Sequence, residues 1–222
     1  ESTFGWLAGV PERAVCQEGV KAIYKHERIS APTKVGAKDA YSKNDGLQNQ
    51  NDVYIADSDT AAGDVLLDPN TWSKDGTVAL GGASYSDDGR FIAYGIQESG
   101  SDWRVWRVLD VATKTPLADE IRWSKFSGVT WAPDGRGFFY SRYAPPAEGK
   151  AFQSANFNQK LYFHRLGTPP SDDVLVYSRR GHPEWSLSPE ITEDGRWRLF
   201  SSSAGAGPMR RIEIEIIVGV RR

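Results

Sequence analysis

The sequence predicts an all-β fold, an incomplete β-propeller of about two to three four-stranded antiparallel blades behind a short, partly helical N-terminal segment. Three observations carry that prediction. The stretch GGASYSDDGRFIAYG, residues 81–95, joins two apolar segments through a tight turn at Asp88 and Gly89. The pattern returns as VTWAPDGRGFFYS with Asp134 and Gly135, and as PEITEDGRWRLFS with Asp194 and Gly195. Asp-Gly between apolar runs is a strong hairpin signal, because glycine takes a positive φ freely. The second observation is spacing. The turn glycines lie 46 and 60 residues apart (135 − 89 and 195 − 135), the length of a four-stranded unit with one enlarged by an insertion. The third is that residues 91–96 are apolar on both faces, as a strand is when neighbouring sheets cover it on both sides.

In chain order, residues 1–39 form the N-terminal segment. A helix is expected within residues 12–29, with Val15, Val20, Ile23 and Tyr24 as its apolar stripe, Pro11 near its first turn and Cys16 in a buried or partly buried structural role. Residues 32–43 read as a polar connector or weak strand. Residues 40–70 make a partial first blade. Its Asn44-Asp45-Gly46 turn is rich in side-chain amides that satisfy backbone groups, which makes it structural before it is ligand-binding. Residues 52–56 and 64–67 are its strands, stopped by Pro69.

Residues 71–125 make a second blade, with a loop over 71–79 and strands over 83–86, 90–96 and 103–110. Residues 126–182 make a third, with an insertion at 144–158 that accounts for the longer repeat interval. Residues 183–222 start a further blade and run into a divergent tail. In that tail Ile212, Ile214 and Ile216 alternate with glutamates, a half-buried strand pattern.

Composition excludes several functions. A formal net charge of −2 over 222 residues, with no strongly basic segment, argues against nucleic acid as a partner. No apolar run approaches the roughly 18 residues of a membrane helix. Cys16 is the only cysteine, so no internal disulfide forms, and a reducing, cytoplasmic compartment is the simpler assignment.

Catalytic and metal motifs fare poorly. Gly82-Ala83-Ser84 has the first half of a nucleophile elbow but lacks the second glycine and leads into a hairpin instead of a helix. The histidines at 26, 164 and 182 are isolated, with neither H-E-x-x-H nor a cysteine pair, so no metal or other cofactor is expected. Asp87 and Asp88 lack a calcium-loop pattern and read as solvated turn carboxylates. Trp72, Trp103, Trp106 and Trp123 have faces for stacking on a sugar or peptide, but strand packing accounts for them more simply.

Four segments resemble the prolyl oligopeptidase family, in the order in which that family carries them. They are NDGLQNQ (44–50), LLDPNTWSKDGTVAL (66–80), GSDW (100–103) and NQKLYFHRLGT (158–168). The resemblance covers residues 40–200. Phe4-Gly5-Trp6-Leu7 resembles the family's start only faintly, and the texture is lost from Gly205 onward. The resemblance implies a cytosolic serine peptidase that cuts short peptides after proline, in which a propeller covers an α/β-hydrolase domain holding the catalytic triad. No counterpart of that triad is found in these residues, so the chain by itself is expected to be inactive. Its partners would be the α/β-hydrolase domain and the remaining blades, and short proline-containing peptides in the intact enzyme. Phe126 matches a family aromatic near the distal substrate subsite, although the residue pattern alone makes it a strand-start aromatic. The alternative is a stand-alone binding or scaffold propeller that completes its ring by oligomerisation.

Overall fold

A computed structural model of the chain describes residues 3–151, 156–192 and 198–204. The chain divides into two compact units, residues 1–33 with 39–76, and residues 34–38 with 77–222.

The first unit opens with helices α1 (Thr3–Ala8) and α2 (Arg13–Tyr24). Neither buries a residue. Val15, Val20, Ile23 and Tyr24 of α2 are 76%, 55%, 71% and 56% exposed. Cys16 is likewise exposed, which corrects the expectation of a buried thiol: a helix that buries no face leaves its cysteine in water.

Strands β1 (Arg28–Ile29), β2 (Thr33–Val35), β3 (Lys38–Asn44), β4 (Asp52–Ala56) and β5 (Asp64–Leu67) follow, and β1-β3-β4-β5 pair in that order. Of the two readings of residues 32–43, connector or weak strand, the strand holds: the stretch carries β2 and most of β3. The pairing of β3 with β4 sets Ala40 opposite Ile55 and stacks Tyr41 on Tyr54 at 5.3 Å. Cross-strand pairing of this kind outweighs a weak local β propensity. The Asn44–Gln50 turn closes on its own amides. Asn44 Oδ1 accepts from Gly46 N at 2.8 Å, and Asp45 Oδ1 accepts from Leu47 N at 2.7 Å.

The second unit holds three antiparallel sheets. The second sheet of the molecule is the meander β6 (Val78–Tyr85), β7 (Phe91–Glu98), β8 (Arg104–Asp110) and β9 (Thr115–Ser124). The third is β10 (Val129–Trp131), β11 (Gly137–Arg142), β12 (Lys160–Arg165) and β13 (Val174–Ser178). The fourth pairs β14 (Ser186–Ile191) with β15 (Arg198–Ser203). Strand β6 starts before Ala83, where sequence reading began it. The register shifts between Leu80 and Gly82, and Gly82 sits at a φ of 154° against the Trp106 ring, so the loop expected over 71–79 is shorter than read.

The apolar periodicity of β11 explains how the sheets stack. Phe138 and Tyr140 face the second sheet and join Ala93, Trp106, Val108 and Ile121 in one cluster. Phe139 faces the other way and joins Leu161, Leu187 and Phe200. A strand apolar on both faces is therefore covered on both faces. Buried donors also cross the junction between the second and third sheets. Trp131 Nε1 donates to Ser84 O at 2.9 Å, and Ser124 Oγ donates to Ser141 O at 2.8 Å. Left unpaired inside the core, these groups would each cost free energy.

At the first repeat turn, Gly89 N donates to Ser86 O at 2.8 Å with Gly89 at a φ of 72°. Asp88 Oδ1 accepts from Ser86 Oγ at 2.6 Å and from Arg90 N at 3.0 Å, and these bonds hold its carboxyl below its usual range. The second turn repeats the geometry, with Gly135 N to Ala132 O at 2.9 Å and Gly135 at a φ of 64°. The Asp194-Gly195 turn and the Ile212–Ile216 alternation lie outside the described residues.

Candidate functional site

The junction between the second and third sheets has a polar interior and an aromatic rim. In the interior, alternation along β9 turns Asp119 inward, and alternation along β12 does the same for His164. A single 3-10 turn, Pro170–Asp172, delivers Asp173 to the same point. All three side chains are essentially inaccessible, at 0% for His164 and Asp173 and 1% for Asp119. His164 Nε2 lies 2.9 Å from Asp119 Oδ1, and His164 Nδ1 lies 2.7 Å from Asp173 Oδ1. Tyr140 donates its hydroxyl to Asp173 Oδ2 at 2.5 Å, and Gly167 N donates to Asp119 Oδ1 at 2.7 Å. The Phe138 ring packs beside the imidazole at 5.2 Å.

Burial opposes a charge on His164, but the hydrogen bonds and charges of Asp119 and Asp173 outweigh it and raise its pKa from 6.5 to about 9. Burial also pushes Asp119 upward, and there the bonds from His164 and Gly167 win and hold the carboxyl below its usual range. Tyr140 is driven far up by burial and by Asp173, so its hydroxyl stays protonated.

The rim is built where β9 crosses over to β10. Trp123 and Phe126 both take left-handed backbone, with φ of 65° and 56°. Such conformations cost bulky residues about 1–2 kcal/mol and collect at functional positions. The surroundings hold them there. Tyr143 N donates to Trp123 O at 2.9 Å, and Gln159 Nε2 donates to Lys125 O at 2.7 Å. Trp103 stands edge-on to Trp123 at 5.6 Å and to Tyr143 at 6.0 Å, and its indole donates to Ala151 O at 2.8 Å. The Lys125 ammonium lies 4.6 Å from the Trp103 ring centre and 5.3 Å from that of Phe126. Phe126 itself is 51% exposed. The arrangement is a rigid shelf presenting one aromatic face and one cation, suited to holding an extended apolar or acidic segment and without a nucleophile of its own.

The sequence-derived site residues fall in different places. Phe126 is on the rim, whereas Asp88, Gly89, Asp134 and Gly135 are at hairpin turns. Trp106 is a core residue, 2% exposed, with its indole N–H donating to Ser124 Oγ at 3.0 Å. Ser84 lies within β6 opposite Ala93, so it is on a ladder and not at a strand-to-helix elbow. Among the described residues no group of three or more His, Cys, Asp and Glu is arranged to hold a metal. Sequence reasoning missed the Asp119–His164–Asp173 cluster because its members are 45 and 9 residues apart. One signal was available: a histidine inside the otherwise apolar strand Leu161-Tyr162-Phe163-His164 must find a polar partner.

Comparison with known proteins bears on what this scaffold serves. Residues 2–208 match the family described as prolyl oligopeptidase, N-terminal β-propeller domain. The prolyl endopeptidase of Elizabethkingia meningoseptica is 39% identical over 203 residues, 90% of this chain and 28% of the relative. Among solved structures, a prolyl endopeptidase studied for inter-domain dynamics in catalysis and specificity superimposes with a TM-score of 0.77 at 37% identity, over 97% of this chain and 32% of that one. Prolyl oligopeptidase B from Galerina marginata, bound to a 35mer hydrolysis and macrocyclization substrate, gives 0.78 at 25% identity, over 97% of this chain and 35% of that one. The chain thus spans about a third or less of the length of these relatives. With its stacked four-stranded meanders and its match to the propeller domain, the chain belongs to the prolyl oligopeptidase family and corresponds to the propeller portion of a member.

Proposed function

We propose that this propeller portion covers the active site of a proline-specific serine oligopeptidase and restricts entry to short peptides, with Phe126 facing the peptide. The observation that carries the reading is Phe126 itself. A half-exposed ring on a strained, left-handed backbone is costly to keep unless the ring is used, and the hydrogen bond from Gln159 to Lys125 O holds the backbone beside it. Rigid presentation lowers the entropy lost when a flexible peptide docks.

Chemistry in such an enzyme belongs to an α/β-hydrolase domain, which full-length relatives carry in addition. Amide hydrolysis needs an activated nucleophile, a base beside it and donors aimed at the developing oxyanion. The ladder position of Ser84 meets none of these needs. The exposed apolar residues Phe4, Trp6, Val15, Val20 and Ile23 offer area for docking that domain, and the remaining blades would continue the series of stacked sheets. A cytoplasmic location accords with the exposed free thiol of Cys16.

The test uses the full-length enzyme carrying this propeller. Phe126→Ala should raise KM for longer peptides more than for minimal proline substrates, and equal effects on both would remove Phe126 from the peptide path. Residues 1–222, purified and folded, should not turn over a proline-containing fluorogenic peptide. Turnover that a serine-reactive inhibitor blocks, with label on Ser84, would overturn the placement of catalysis elsewhere.

A further inference from the structure

We infer that His164 is a standing imidazolium that latches the second sheet to the third, and that the junction between them loosens when the ring loses its proton in alkaline solution. An ionised carboxylate only accepts hydrogen bonds, and a neutral imidazole has one donor and one acceptor. His164 directs both ring nitrogens at carboxylate oxygens, at 2.9 Å and 2.7 Å. A single ring proton would leave one of those pairs as lone pair against lone pair, in a place water does not reach. The cluster therefore holds a second proton.

That proton belongs on the ring. Asp119 Oδ1 already accepts from Gly167 N, and Asp173 Oδ2 already accepts from the Tyr140 hydroxyl. Donors aimed at both carboxyls favour their ionised forms. The groups facing His164 come from every element around it: Asp119 from β9, Asp173 from the segment before β13, and Tyr140 from β11. Arg142 and Tyr162 act on Tyr140 from behind. The imidazolium then bridges a carboxylate of the second sheet and one held against the third.

The direction with pH follows. The folded ring has a pKa of about 9 against an ordinary 6.5, so its contribution is complete below 6.5 and is lost as pH rises through 9. The Asp119 carboxyl is shifted the opposite way, so its contribution is present above the ordinary carboxylate value and is lost as pH falls through its lowered one.

Nitrogen-15 histidine NMR on the 222-residue protein at pH 7.5 tests the charge directly. Both His164 nitrogens should carry protons, and a neutral tautomer would overturn the latch. Hydrogen exchange tests the consequence. From pH 7.5 to 9, amides of β9 and β12 should speed up by roughly tenfold more than those of β3 and β4, because between 6.5 and 9 opening the junction releases the ring proton, and the excess should level off above 9. In His164→Gln the junction amides should exchange fast at every pH, without the extra alkaline step. The same excess step in His164→Gln, or none in the parent, would reject the inference. Should His164→Gln fail to fold, the parent's NMR and exchange decide alone.

Discussion

Inside the junction between the second and third sheets, His164 is fully buried with a carboxylate on each ring nitrogen. On the rim of the same junction, Phe126 is 51% exposed and holds a φ of 56°. Both positions are costly to build. The interior offsets the desolvation of its charges with short hydrogen bonds on both ring nitrogens, although Asp119 Oδ2 is buried without a partner, so most of its cost is repaid within the fold. The rim offsets nothing of the kind: the Phe126 ring has the Lys125 ammonium at 5.3 Å and is otherwise half open to solvent. An expensive feature that stabilises is architecture, whereas one that does not is a candidate for function. The two can be separated by substitution, because each should fail in a different measurement.

The largest effect should come from the interior. Asp119→Ala removes one of the two carboxylates of a fully buried imidazolium, and breaking a buried pair in this way costs about 3–5 kcal/mol. Urea unfolding at pH 7 should show it, and the loss should shrink towards pH 10, where the parent's ring gives up its proton as well. An equal loss at both pH values would mean that Asp119 matters for packing and not for charge.

Next come the two hairpin glycines, which sequence pattern treats as equivalent and the structure does not. A Cβ on Gly89 would lie 2.6 Å from Val35 O and 3.0 Å from Gly36 N, both backbone atoms. A Cβ on Gly135 would meet nothing closer than Asp88 Oδ2 at 3.5 Å. Gly135→Val should therefore cost only the left-handed penalty of about 1–2 kcal/mol. Gly89→Val should cost that and the clash, at least about 2 kcal/mol in all. Matched urea midpoints for the two variants would show that the backbone at Val35 and Gly36 gives way.

Sequence reading succeeded where structure is local or repeated. The first two Asp-Gly turns needed only glycine's freedom at positive φ, and the apolar pattern on both faces of residues 91–96 is met by burial of every residue from Phe91 to Gly95. It failed where a partner had to be known. Strand β3 is polar, a pattern that left connector and weak strand both open, and β4 opposite it decides for the strand. The apolar stripe of α2 was read correctly as a pattern, yet nothing in a stripe tells whether it is covered, and Cys16 followed it into water. Phe126 was singled out by resemblance, while its left-handed backbone is invisible in the letters Lys-Phe-Ser. His164 carried the weakest signal because a proton shared among residues 119, 164 and 173 exists only once the sheets have stacked.

The smallest and most discriminating effect concerns Phe126. Phe126→Gly removes the ring and, at the same time, supplies a residue that takes a φ of 56° without penalty. Part of that gain is cancelled because glycine is freer in the unfolded chain, an entropy term of about 0.5–1 kcal/mol. The ring is half-exposed, so little buried area is lost with it. Stability should stay within about 1 kcal/mol of the parent, on the side of a slight gain. Longer peptides should nevertheless bind the full-length enzyme more weakly, as with Phe126→Ala. The Ala variant keeps the backbone strain and the Gly variant relieves it, so the pair separates the ring's contribution from that of the loop. If Gly restores what Ala loses towards long peptides, the strained backbone matters and the ring does not. If Gly instead destabilises the fold by several kcal/mol, Phe126 is a packing residue, and the rim is architecture like the interior beneath it.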